Sequence, residues 1–212
     1  NAVFTSDVPT GAGVSSSAAF ELIIAEIISV LYNDGKVTVE DKAQAGKYAE
    51  NVYFNKPCGL LDQGVIAVGG AVVIDFQNGF DYRKIDDPLP SYRYVLINTG
   101  KSLSSLTGLY AQVAEDMKAV STYFGKQRLV DVDPQTFFSQ KTQIVTAVGE
   151  QAYSRAKHFF TECARVAEVE QAAKVGNQRK IVDLVNKSGE SSRYDLKNCA
   201  AFEGDRSITD AI

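Results

Sequence analysis

Apolar residues recur at helical spacing directly after a glycine-serine stretch: Phe20, Ile23, Ile24, Ile27, Ile28 and Leu31, stopping at Asn33-Asp34-Gly35. The pattern predicts an amphipathic helix of about four to five turns with a glycine stop. Thr38 with Asp41 three residues on opens a second helix carrying Ala45, Tyr48, Ala49 and Val52, which ends before Pro57. Gly59 to Val68 reads as a third, short helix closed by Gly69-Gly70. The apolar runs 71–76 and 80–85 flank Gln77-Asn78-Gly79 and predict a β-hairpin.

Residues 86–90, with two prolines, read as a linker, and Tyr92–Asn98 as a strand opening a new unit, so a domain boundary is placed between 88 and 89. From Ser105 to Val185 the periodicity is helical, with breaks near Gly125, Asp133-Pro134, Gly149 and Gly176-Asn177. At the other end, Val3–Ser6 reads as a strand already in progress behind Asn1-Ala2. The chain is therefore expected to be a piece of a longer protein.

Composition removes several function classes. At 212 residues and 45% hydrophobic content the chain can bury one large core or two modest ones. Its net charge is −4 with dispersed basic residues, which argues against a nucleic-acid partner. Cys58, Cys163 and Cys199 are far apart and His158 is the one histidine, so neither a zinc site nor a disulfide framework is expected. No apolar run reaches membrane-spanning length and no signal pattern opens the chain, so a cytoplasmic protein without membrane contact is expected. Oligomeric state is not readable from the sequence.

The candidate chemistry starts at Pro9-Thr-Gly-Ala-Gly-Val-Ser-Ser-Ser-Ala18. Gly11 and Gly13 permit positive φ and close backbone approach, while Ser15, Ser16 and Ser17 add hydroxyls beside the first N–H groups of a helix, which is how an anion site is built. Two readings stand here: a plain helix cap and a phosphate cradle. The dinucleotide fingerprint fails at Ser16, and Gly100-Lys101-Ser102 lacks the first glycine of a Walker loop, so it is read as a turn.

Two carboxylates follow. Glu50 falls late in the second helix and Asp62 in the third, joined through Pro57-Cys58-Gly59, so both are able to face one site. Asp62 lies between Leu60-Leu61 and Val65-Ile66-Ala67, an odd place for a charge without a partner or a task. It is either a helix-terminal or salt-bridged aspartate, or a group that takes a proton from a hydroxyl nucleophile.

Taken together, Pro9–Ala18 and Pro57-Cys-Gly-Leu-Leu-Asp-Gln63 resemble the GHMP kinase superfamily, and within it the galactokinases; Arg155-Ala-Lys-His158 with Glu162 and Arg165 is similar to a helical stretch of that branch. The resemblance runs over residues 3–195. It implies an α+β fold, with residues 1–88 the rear of the N-terminal domain and 89–212 the helix-rich start of the C-terminal domain. It also implies ATP-dependent phosphorylation of the C1 hydroxyl of galactose or a related sugar. The loop Gly11, Ala12, Gly13, Val14, Ser15, Ser16, Ser17 and Ala18 would hold the ATP phosphates, Ser17 and Glu50 would hold Mg²⁺, and Asp62 would be the catalytic carboxylate. Gly59 and Tyr110 match sugar-contacting positions, and His158 matches a position read as structural.

The chain departs from that pattern too. The family's arginine-bearing opening segment and its late glycine-rich motif are not found, which leads to the expectation that this stretch alone is inactive. Ala111-Gln112-Val113 stand where an arginine pair often follows Tyr110. A sugar- and ATP-binding sensor without turnover, and a superfamily kinase for another small alcohol, stay open beside the galactokinase reading.

Overall fold

A computed structural model describes residues 2–97 and 107–200. The chain divides into two compact units: the described residues up to Asp87 belong to the first, and the segment from Pro88 and the residues from Gly108 to the second.

The first unit holds three helices and a hairpin. Helix α1 spans Ser16–Tyr32 and stops where Gly35, at φ 70°, donates its N–H to the Ser29 carbonyl at 2.9 Å. Helix α2 spans Val39–Tyr48, and Thr38 caps it by accepting the Asp41 N–H at 3.1 Å while its hydroxyl donates to the Asp41 carboxylate at 2.7 Å. The chain then widens into a π-turn over Ala49–Tyr53. Helix α3 spans Leu61–Val68, starting two residues later than the sequence pattern suggests. Strands β1 (Val72–Asp75) and β2 (Asp81–Lys84) pair antiparallel, with Val72 opposite Lys84 and Asp75 opposite Asp81.

The three helices pack on one another through small residues. Ala18, Leu22 and Ala43 are buried, and a Cβ on Gly46 would stand 3.0 Å from the Gln63 side chain, 3.1 Å from Glu21 Oε2 and 3.3 Å from Leu22. That close approach brings α1 and α3 together over α2. It also corrects the expected core face of α1: Phe20, Ile23 and Ile28 are about half exposed, whereas Ala18, Leu22 and Ser29 point inward. The helix is apolar on more than one side, so the large residues alone misplace its packed face.

Two expected strands do not form. Residues 2–7 and 93–97 have no regular secondary structure and join no ladder; among the described residues the sheet consists of β1 and β2 alone. A run of β-branched and aromatic residues becomes a strand only where another strand takes its N–H and C=O groups. Asn98 and the Gly100-Lys101-Ser102 turn lie outside the described residues.

The second unit is helical: α4 (Thr107–Tyr123), a 3₁₀ turn (Leu129–Asp131), α5 (Pro134–Ser139), α6 (Lys141–Val148), α7 (Glu150–Lys174), α8 (Gln178–Ser191) and a terminal π-turn (Ser192–Leu196). The breaks fall where the sequence places them. Asp133 caps α5 by accepting the Thr136 N–H at 2.8 Å ahead of Pro134, Gly149 turns at φ 93° before α7, and Asn177 accepts the Lys180 N–H at 3.1 Å. The core gathers Val120, Leu129, Val132, Phe137, Ile144, Tyr153, Ala156 and Phe160.

A buried ion pair ties this unit together. Arg155 donates to Asp116 at 2.6 Å and to the Leu196 carbonyl at 3.2 Å, while Gln112 and Gln151 donate to the same aspartate. Burial works to raise the Asp116 carboxyl, but hydrogen bonds from Gln151, Gln112 and Arg155 outweigh it and hold the group below its ordinary value of 3.8. A carboxyl depressed in the folded state contributes stability above its unfolded pKa, and that contribution disappears as pH falls through the folded one. Melting temperature followed between about pH 5 and pH 1 should therefore drop more steeply in the unaltered chain than in Asp116→Asn, whose stability is lower at neutral pH and flatter toward acid.

Candidate functional site

The glycine-serine loop enters α1 with φ of 74° at Gly11, 76° at Gly13 and 57° at Ser15; Ala12 and Val14 between them are not positive. Backbone that alternates in this way turns successive N–H groups toward one side, a concavity suited to anions. Ser15 stands at the N-cap position, yet its side chain makes no capping bond. The first helical hydrogen bond runs from the Ala19 N–H to the Ser15 carbonyl at 3.0 Å, which leaves the preceding N–H groups outside the helical ladder.

Across from the loop, Glu50 sits in the π-turn with its carboxylate almost fully enclosed. Lys56 donates to it at 2.7 Å and to the Ser17 hydroxyl at 3.3 Å, so Ser17 and Glu50 address one ammonium. Burial pushes the Glu50 carboxyl upward, but hydrogen bonds from Lys56, Ser17 and the Cys58 thiol overcome that and lower it. The hydrogen bond to Glu50 in turn raises Lys56 above its ordinary value. Burial first, and then Glu50, push the Cys58 thiol up to about 11, which keeps it a neutral donor.

Besides Lys56, three members of this cluster were not singled out from the sequence. Glu21 lies four residues after Ser17, on the same face of α1, and receives the Gln63 amide at 3.3 Å. Burial raises its carboxyl, and the neighbouring Glu50 adds to the rise. Gln63 is 1% exposed and also reaches the Cys58 sulfur at 3.8 Å, while its Oε1 has no partner. Asn51 fixes the connecting turn by accepting the Cys58 N–H at 2.6 Å and donating to the Cys58 carbonyl at 3.2 Å. A signal for Glu21 existed, since it is a lone acid among Phe20, Ile23 and Ile24 at one-turn spacing from Ser17.

Asp62 is placed differently from Glu50. It stands in the first turn of α3, exposed to solvent. The apolar residues around it in sequence do not enclose it: Leu61 is 55% exposed and Ile66 37%. The carboxylate therefore needs no structural partner and is open to a ligand. Gly59 lies in the preceding turn with nothing near where its Cβ would be, and Tyr110 belongs to α4 in the second unit. His158 on α7 shares a hydrogen bond with the Ser191 hydroxyl at 3.0 Å, and burial lowers its pKa. Glu162 is ion-paired with Arg165 and accepts the Ser188 hydroxyl at 2.7 Å. The Arg155–Arg165 segment thus joins α7 to α8 and the terminal turn.

A groove of about 710 Å³ in the first unit shares Ser17, Glu50 and Lys56 with this cluster and is walled by Phe20, Ile24 and Ile28. Among the described residues, no three His, Cys, Asp or Glu side chains are grouped to cage a metal, and no helix is long and apolar enough to cross a membrane.

Residues 1–70 match the family model of the GHMP kinases N terminal domain. Over those residues the chain is similar to the N-terminal domain of the GHMP kinase superfamily. Its similarity to members of that superfamily extends well past the matched domain. It is 33% identical over 197 residues to a galactokinase of Glaesserella parasuis serovar 5 (strain SH0165), covering 91% of this chain and 50% of that protein. A galactokinase of Actinobacillus pleuropneumoniae serotype 5b (strain L20) is 32% identical over the same extent. Among solved structures, Lactococcus lactis galactokinase complexed with galactose matches with a TM-score of 0.72 at 24% identity, over 91% of this chain and 50% of that one. The GHMP kinase fold and its α+β class follow. The chain spans about half the length of the curated relatives it matches.

Proposed function

We propose that this chain serves the ATP-dependent phosphorylation of the C1 hydroxyl of galactose or a closely related sugar, in the cytoplasm, with residues 1–88 in the N-terminal and 89–212 in the C-terminal domain of the GHMP kinase family. The observation that carries the reading is the 33% identity to a galactokinase across 91% of the chain, with the uncapped, alternating-φ loop set beside Ser17 and Glu50.

In this reading the backbone N–H groups of Gly11–Ala18 bind the nucleotide phosphates, and the α1 dipole favours their charge. Ser17 and Glu50 fit Mg²⁺ in kind, being a hydroxyl and a carboxylate that already address a single positive charge. The absence of a caging third acid is no obstacle, because Mg²⁺ is commonly bound by one or two protein ligands plus phosphates and water. When bound, the ion neutralises charge on the phosphates during transfer. Asp62, exposed at the start of α3, accepts the proton of the sugar hydroxyl, and Gly59 in the preceding turn contacts the sugar.

A panel of acceptors assayed for ADP release tests this. Galactose, other hexoses, mevalonate, homoserine and a uronic acid are offered to the full-length protein with Mg²⁺ and ATP. Galactose or a close epimer is expected to be the preferred acceptor. Preference for a non-sugar alcohol overturns the substrate, and sugar binding without ADP release replaces the enzyme by a sensor.

A further inference from the structure

Resting on the reading of Ser17 and Glu50 as metal holders, we infer that Lys56 is the resident cation of that site and is exchanged for the divalent ion when it arrives.

The argument begins with burial. The Glu50 side chain is 6% exposed, that of Lys56 is 55% exposed, and 2.7 Å separates their charged atoms. An enclosed carboxylate stripped of its counter-charge is costly, so Glu50 requires a cation there at all times. The lysine end of the pair reaches open solvent and is able to swing away, whereas the carboxylate is fixed in the π-turn. The ammonium contacts the same two oxygens assigned to the metal, Ser17 Oγ and Glu50 Oε1, so both cations cannot be held at once.

A second, independent observation concerns Gln63, which is tied to the site through Glu21 and Cys58. Gln63 is 1% exposed, its amide N–H₂ is committed to Glu21 and the Cys58 sulfur, and its Oε1 is buried with no donor. An orphaned buried carbonyl is uncommon and calls for a donor such as an ordered water. The Lys56 ammonium is hydrogen-bonded to Glu50 and Ser17 and makes no bond to Gln63. A hydrated divalent ion brings water molecules, whose protons supply the missing donor. Glu21, one turn from Ser17 and next to Glu50, is the further acid whose charge such an ion would favour.

The exchange predicts that Lys56 opposes metal binding. Mn²⁺ alone, titrated into the protein and followed by electron paramagnetic resonance, should bind on the order of tenfold tighter to Lys56→Met than to the unaltered chain, and not to Glu50→Gln. A purely structural lysine would give no gain. In the unaltered chain, acetylation of the Lys56 amine followed by mass spectrometry should speed up several-fold when Mn²⁺ is added, a readout that needs no variant to fold. If Mn²⁺ binds in a Glu50-dependent way while Lys56→Met does not tighten it and Lys56 labelling is unchanged, the exchange is overturned and the metal assignment stands. If Mn²⁺ binds neither the unaltered chain nor Lys56→Met, both are overturned.

Discussion

Asp62→Asn in the full-length protein is expected to lower kcat for sugar phosphorylation by about 10²–10⁴-fold, the range typical of removing a general base, while ATP binding stays close to that of the unaltered protein. The two halves of that result come from different parts of the first unit. Asp62 stands exposed at the start of α3, and the nucleotide site is assigned to the loop before α1 and to Glu50 in the π-turn. Because the aspartate is not enclosed by Leu61 or Ile66, its loss removes no packing, and the amide is nearly the same size. Melting temperature should therefore change little, which separates loss of chemistry from loss of fold. Near-normal turnover in Asp62→Asn, measured as galactose-dependent ADP release, would remove Asp62 from the mechanism.

Phe137→Ala is expected to have the largest effect on stability, about 3–5 kcal/mol. Phe137 is fully buried in α5, its ring stacked at 4.9 Å on Tyr153 and 4.7 Å from Phe160, both on α7. Truncation opens a cavity at the centre of the cluster that also holds Val120 and Ile144. The short helix α5 has no other fully buried side chain, so it loses its anchor along with the contact area. Urea unfolding monitored by circular dichroism measures the loss. A change below 1 kcal/mol would show that the second unit does not depend on this cluster, against the range expected for a buried aromatic.

What the sequence disclosed follows the range of the interactions involved. The Thr38 cap, the Asp133-Pro134 start, the Asn177 cap and the hairpin around Gln77-Asn78-Gly79 are local, decided within a few residues, and each is found where the pattern puts it. Val3–Ser6 and Tyr92–Ile97 have strand composition but join no β-ladder among the described residues, and composition carries no information about which strand lies alongside. Asp62 shows a different gap, because apolar neighbours in sequence were equated with burial when Leu61 and Ile66 are themselves at the surface. The Glu21, Lys56, Cys58 and Gln63 cluster is joined across gaps of up to 42 residues, and only the packing of three helices around Gly46 brings it together. Ser17 and Glu50 were paired through family resemblance, and in the structure they share the Lys56 ammonium.

The π-turn at Ala49–Tyr53 makes chain length, as distinct from residue identity, a determinant of this site. Such a turn holds one residue more than an α-helical turn, and each residue of an α-helix advances the next side chain by about 100° around the axis. Every position from 49 to 53 could keep its amino acid, and the loss of one neighbour would still regularise the helix and carry Glu50 away from Ser17. A library of point substitutions is blind to that requirement, and single-residue deletions and insertions along the segment would reveal it.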